Sequence, residues 1–120
     1  MTKWILVVDD DPDIRKLIVF TLSDEGFDVQ EASDGNAAFD MLGRQHTDVI
    51  LLDMKMPGMD GWDFISRYRE LYNHRTPILV ITAAPDPAEG HTDTGADGYI
   101  SKPFELSELV ERVSEMTRSG

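Results

Sequence analysis

Apolar residues gather in short runs along this chain, and each run ends in a polar or turn-forming residue. Residues 4–8 (W-I-L-V-V), 49–52 (V-I-L-L) and 78–81 (I-L-V-I) are continuous enough to be strands buried on both faces. Residues 27–32 alternate as a second strand, and residues 98–101 make a short last one. Between them the period changes. Ile14, Leu17, Ile18 and Thr21 recur at helical spacing up to a stop at Gly26; Ala37, Ala38, Met41 and Leu42 form the inner face of a short helix. Phe64, Ile65 and Tyr68 face inward from a helix over about residues 62–72, and Leu106, Leu109, Val110 and Val113 from a last helix. Local punctuation agrees: Asp11 is placed to cap a helix that Pro12 opens, and Ser33-Asp34-Gly35 turns into the next. After residue 53 the chain turns at Pro57, which presets φ, and Gly58, which tolerates positive φ. Strand and helix alternate, so the predicted class is α/β with a parallel sheet. Residues 84–95 break the pattern. They contain two prolines and two glycines but no large apolar residue, which predicts a turn or two of helix at most, or a mobile loop.

A chain of 120 residues is expected to be one domain, residues 1–120, with a core of moderate size. Eleven basic residues against 23 acidic ones leave a net charge of −12, which opposes direct binding to nucleic acid or anionic membrane and favours basic surfaces or metal ions. Without cysteine there is neither a disulfide framework nor thiol chemistry. No run reads as a signal peptide or is long enough to span a bilayer, so cytoplasmic residence is expected.

Candidate chemistry emerges when the strand ends are aligned. In a parallel sheet the residues at the ends of strands one, three, four and five share one edge, which brings Asp9 and Asp10, Asp53, Thr82 and Lys102 together. Clustered carboxylates repel one another and call for a cation, and oxygen ligands suit a hard divalent ion, Mg²⁺ or Mn²⁺. Lys102 could neutralise a phosphoryl oxygen, Thr82 could donate its hydroxyl to another, and the remaining carboxylate, Asp53, could act as a nucleophile toward phosphorus.

Four motifs in order carry a wider resemblance: V-V-D-D-D at 7–11, L-L-D-M-K-M-P-G-M-D-G at 51–61, I-T-A at 81–83 and G-A-D-G-Y-I-S-K-P-F at 95–104. Across essentially its whole length the chain resembles the CheY-like receiver domain of two-component response regulators. The resemblance implies a doubly wound (βα)₅ flavodoxin-like fold with strand order 2-1-3-4-5. It implies that Asp53 accepts a phosphoryl group from a histidine kinase or a histidine phosphotransfer protein in a Mg²⁺-dependent reaction, switching conformation to control a downstream partner that the sequence does not name. By the same resemblance Asp10 and Asp53 bind the metal through their side chains, Asp9 through water and Lys55 through its backbone carbonyl. Thr82 and Tyr99 match the switch pair, and Lys102-Pro103 matches a peptide that is usually cis. Lys55 and Ala84 match positions flanking the phosphoryl group. Alanine has no group to orient an attacking water, so slow self-hydrolysis is expected. A signalling domain of this kind is a phosphoacceptor that promotes its own phosphorylation and dephosphorylation rather than an enzyme acting on other molecules, and a monomer or weak dimer is expected. Residues 85–95 depart furthest from the family pattern, so output through the usual face is not implied.

Simpler readings exist for each part. Asp9 to Asp11 could be a solvated helix start, since aspartate is favoured beside the positive helix end. Asp53 could be an ordinary loop carboxylate, Thr82 a strand terminator, Tyr99 a half-buried strand residue and Lys102 a solvated charge. His46, His74 and His91 have neither ligand spacing nor a nearby acid and are assigned no chemistry. A haloacid-dehalogenase-like phosphatase would use the D-x-D spacing of residues 9–11, but the threonine expected two residues further is absent and the chain is short for that core and cap. A flavodoxin-like flavin module needs a Ser/Thr/Gly-rich phosphate loop after the first strand, and D-D-D-P would repel a phosphate lacking a metal.

Overall fold

The computed structural model describes residues 2–54, 58–72, 76–82 and 96–118. Within them the order is β1 (Trp4–Val8), α1 (Pro12–Asp24), β2 (Asp28–Ala32), α2 (Gly35–Arg44), β3 (Val49–Asp53), α3 (Gly61–Tyr72), β4 (Ile78–Thr82), β5 (Gly98–Ser101) and α4 (Leu106–Arg118). The strands form one parallel sheet of order β2-β1-β3-β4-β5, the predicted doubly wound arrangement. The expected short helix between β4 and β5, together with Lys55 and Ala84, lies outside the described residues.

Strand geometry sorts the core into two layers. Successive side chains point to opposite faces of a sheet, so Leu6, Val8, Ile50, Leu52, Ile78 and Val80 face α2 and α3, where Ala38, Phe64, Ile65 and Tyr68 meet them. Ile5, Val7, Val49, Leu51, Leu79, Ile81 and Ile100 point the other way, onto Ile18 and Leu22 of α1 and Leu109 and Val113 of α4. Both faces of the central strands are therefore covered, which explains why their sequences are apolar without alternation.

The helix starts follow their predicted caps. The Asp11 side chain accepts hydrogen bonds from the Asp13 and Ile14 N–H groups with Pro12 in the first turn, and Asp34 accepts from the Ala37 N–H. Gly58 has a φ of +83°, as the turn reading requires. In α1 the helical spacing named the right helix but not its buried row. Leu17 is 50% exposed, whereas Ile18 and Leu22 are sealed. At 100° per residue the buried row is centred between Ile18 and Leu22, which leaves Leu17 on the flank and turns Phe20, 71% exposed, directly away. Among the described residues no helix is long and apolar enough to cross a membrane.

Candidate phosphoryl-transfer site

Register assembles the site. Val8 of β1 pairs with Leu52 of β3, so Asp9 stands beside Asp53, the last residue of its strand. Asp53 pairs with Ile81, which sets Thr82 one step further along the same edge, and Thr82 pairs with Ser101, which Lys102 follows. The Lys102 N–H continues the ladder by donating to the Thr82 carbonyl at 2.9 Å. All five residues that the strand ends were expected to unite are thus at the carboxyl edge, where the chain reverses direction between β1 and β3 and ligands characteristically bind. Tyr99 lies half-buried in β5, two residues before Ser101.

Carboxylate oxygens of Asp9, Asp10 and Asp53 all lie within 4.8 Å of one another. Asp9 and Asp53 are buried and Asp10 is exposed, so the cluster opens to solvent on one side. Asp9 is the most constrained: its Oδ1 accepts from the Asp11 N–H at 2.9 Å, while its Oδ2 is buried without a hydrogen-bond partner among the described residues. Burial pushes the Asp9 carboxyl above the ordinary aspartate range; the Asp11 N–H pulls it down, Asp53 raises it, Lys102 lowers it and Asp10 raises it. Across the site the Lys102 ammonium donates to Asp53 Oδ1 at 3.2 Å. A buried carboxyl group with one unpartnered oxygen, clustered with two further carboxylates, is a donor set that fits a hard divalent cation, because such a group is costly unless something positive meets it.

Next to the cluster the Gly61 N–H donates to the Met54 carbonyl at 3.0 Å. The peptide between Lys102 and Pro103 is cis, as the resemblance implied. Arg15, to which the sequence reading gave no role, is held against this edge: its Nη1 donates to the Asp9 carbonyl at 2.8 Å and its Nε to Glu31 Oε1 at 2.7 Å. Its signal was its phase, since it follows Ile14 on the flank of the buried row rather than on the polar side. One reading needs correction. His46 does have a nearby acid, with its Nε2 2.9 Å from Asp48 Oδ1, but the pair belongs to clefts around Lys3, Trp4 and Thr47 at the opposite, amino-terminal edge of the sheet. His74 and His91 lie outside the described residues.

The sequence profile of the response regulator receiver domain matches residues 5–114, and the chain belongs to that family. It is similar to the chemotaxis response regulator CheY4 of Vibrio cholerae, with 32% identity over 97% of this chain and 99% of that one and a TM-score of 0.89. The receiver domain of the Francisella response regulator 1452 is similar at 30% identity over 98% of each chain, with a TM-score of 0.91. A third similar structure, the response regulator TrrA of Thermotoga maritima in complex with Mg²⁺-BeF, has 32% identity over 96% of this chain and 99% of that one and a TM-score of 0.85. The family is a signalling family of two-component systems, which sets aside the phosphatase and flavin-binding readings.

Proposed function

We propose that Asp53 accepts a phosphoryl group from a phosphohistidine on a histidine kinase or histidine phosphotransfer protein, with Mg²⁺ or Mn²⁺ held by Asp9, Asp10 and Asp53. The observation that carries this reading is the joint placement of three carboxylates within 4.8 Å and the Lys102 ammonium 3.2 Å from Asp53. Likeness to the Thermotoga regulator solved with Mg²⁺-BeF supports the choice of metal and of a phosphoryl-like ligand. In the reaction an Asp53 carboxylate oxygen attacks phosphorus, the phosphorus–nitrogen bond breaks, and its electron pair returns to the imidazole. A divalent ion held there would supply charge neutralisation for the oxygens of the transferring group. Lys102 offsets the charge that spreads over those oxygens in a loose transition state, and the Thr82 hydroxyl, from the end of the adjacent strand, would donate to another. Repositioning of Thr82 with Tyr99 would carry the change toward β5 and α4.

The test is exposure to acetyl phosphate with and without Mg²⁺, followed by peptide mass spectrometry. One acyl phosphate on Asp53, dependent on the metal and lost in Asp53→Asn, is the expected outcome. Label on a histidine, or full labelling of Asp53→Asn, would overturn the assignment.

A further inference from the structure

We infer that Arg15 is a positioning residue for the metal edge, clamping the Asp9 backbone to the end of β2 so that the Asp9 carboxylate stays beside Asp10 and Asp53 before any cation arrives. The inference rests on the reading of that cluster as a divalent-metal site.

Arg15 bridges two strand ends with one planar group. Its Nη1 holds the Asp9 carbonyl at 2.8 Å and its Nε holds Glu31 Oε1 at 2.7 Å, while the Asp9 N–H donates to the Ala32 carbonyl at 3.1 Å. Both backbone groups of Asp9 and one of its carboxylate oxygens are thereby tied down, leaving Oδ2 as its unpartnered polar atom among the described residues. An ion pair alone does not account for the arrangement, since pairs near the surface contribute little and Glu31 is 39% exposed. The Arg15 side chain is only 13% exposed, and its second contact is to a backbone carbonyl of a residue in the cluster. Like charges would otherwise drive Asp9 away from its neighbours. A planar fork makes both contacts from two nitrogens held at fixed angles, whereas the ammonium of a lysine is a single point charge on a flexible stem and positions less firmly. Groups that orient metal-binding residues in this way typically change metal affinity by roughly 10–100-fold when removed.

Position and charge make opposite predictions here. Arg15 is itself a cation near the site, so on charge alone Arg15→Gln should tighten Mg²⁺ binding and Arg15→Lys should leave it unchanged. A positioning role requires both to weaken it. Mg²⁺ dissociation constants from titration calorimetry, alongside urea unfolding in EDTA, separate the two. The expected result is a Kd raised about tenfold or more in Arg15→Gln and also in Arg15→Lys, with both variants folded in EDTA. Glu31→Gln, at the rim, is the milder variant should Arg15→Gln not fold. It should raise the Kd by an amount that persists at high ionic strength, where a pure charge effect is screened. Unchanged or tighter binding in Arg15→Gln, full recovery in Arg15→Lys, or a Glu31→Gln effect abolished by salt overturns the role of Arg15 alone. A wild-type protein that takes up no Mg²⁺ overturns the metal reading, and this inference with it.

Discussion

Lys102 and Asp53 meet across the whole width of β4: the Nζ of one is 3.2 Å from the Oδ1 of the other, although 49 positions separate them in the chain. Asp53 is buried and Lys102 partly so, and the contact sets a positive charge against an otherwise anionic cluster. Removing the lysine as Lys102→Met should therefore destabilise the metal-free protein, by less than the roughly 3–5 kcal/mol typical of a fully buried pair. In an Asp53→Asn background the same change should cost much less, with a coupling on the order of 1–2 kcal/mol in a double-mutant cycle by urea unfolding in EDTA. Additive effects would show that the contact contributes nothing specific. Phosphorylation of Lys102→Met by acetyl phosphate should be slowed by about 100-fold or more.

Asp9 yields a prediction with opposite signs in two conditions. Its buried Oδ2 has no partner among the described residues, and the carboxyl is held above its ordinary pKa by burial. Asp9→Asn keeps the shape and the acceptor for the Asp11 N–H while removing the charge, so without metal it should raise stability by about 1–3 kcal/mol, a few degrees in Tm. The same substitution removes a cation ligand, so the rise in Tm that Mg²⁺ produces in the wild type should shrink or vanish. A thermal scan with EDTA and with Mg²⁺ reads both. An undiminished Mg²⁺ shift in the variant would exclude Asp9 from the metal site.

The amino-terminal edge of the sheet carries a separate acid-sensitive latch. Asp48 Oδ2 accepts from the Trp4 N–H at 2.8 Å, and the Asp48 N–H donates to the Trp4 carbonyl at 2.8 Å, so one residue ties the starts of β1 and β3. Burial alone would raise the Asp48 carboxyl, but the Trp4 N–H and His46 outweigh it and hold it below the ordinary value of 3.8. A depressed folded pKa means that the unfolded state takes up the proton first. Its stabilisation is therefore present above the unfolded value and lost as pH falls through the folded one. Asp48→Asn should cost about 1 kcal/mol near neutrality, the difference between a charged and a neutral acceptor. That gap should not close until the pH falls below the ordinary aspartate value; a gap already closing near neutrality would assign the effect to another group.

What the sequence made legible follows from what is local and what is not. Strand ends are local, and a parallel sheet puts them on one edge regardless of fine register, so Asp9, Asp53, Thr82 and Lys102 could be united from the pattern alone. The direction of each residue around a helix is also local, but its burial depends on which row meets the sheet. Leu17 matched the spacing of Ile14 and Ile18 and is still half exposed. Arg15 was silent for a different reason. Its two contacts need the β1–β2 register that sets Val8 beside Ala32, and nothing in residues 9–15 announces a partner at Glu31. His46 and Asp48 are close enough in sequence to have been paired, but a surface-like composition concealed them.

Two glycines give a final contrast, because both become alanine in a helix and only one has room. Gly43 lies exposed near the end of α2, and a Cβ built there meets nothing within 4 Å. Alanine should stabilise this position by about 0.5–1 kcal/mol, since it restricts the unfolded chain and favours the helix. Gly61 opens α3. There a Cβ would stand 3.0 Å from the Met54 Cα and collide with the Met54 thioether. The thioether can rotate away, but the Met54 backbone is fixed by the end of β3 and by its hydrogen bond from the Gly61 N–H. Gly61→Ala should therefore cost about 1–3 kcal/mol in urea unfolding, the usual range for overpacking. Adding Met54→Ala, which removes the thioether but leaves the Cα, should relieve only part of the clash and add a cavity penalty of its own. Because the displaced residue follows Asp53 directly, Gly61→Ala should also weaken the Mg²⁺-induced rise in Tm, whereas Gly43→Ala should leave that rise unchanged. Equal stabilities for Gly61→Ala and the wild type would mean that α3 can slide away from β3 without cost, and Gly61 would then not hold the residue that follows Asp53 in place.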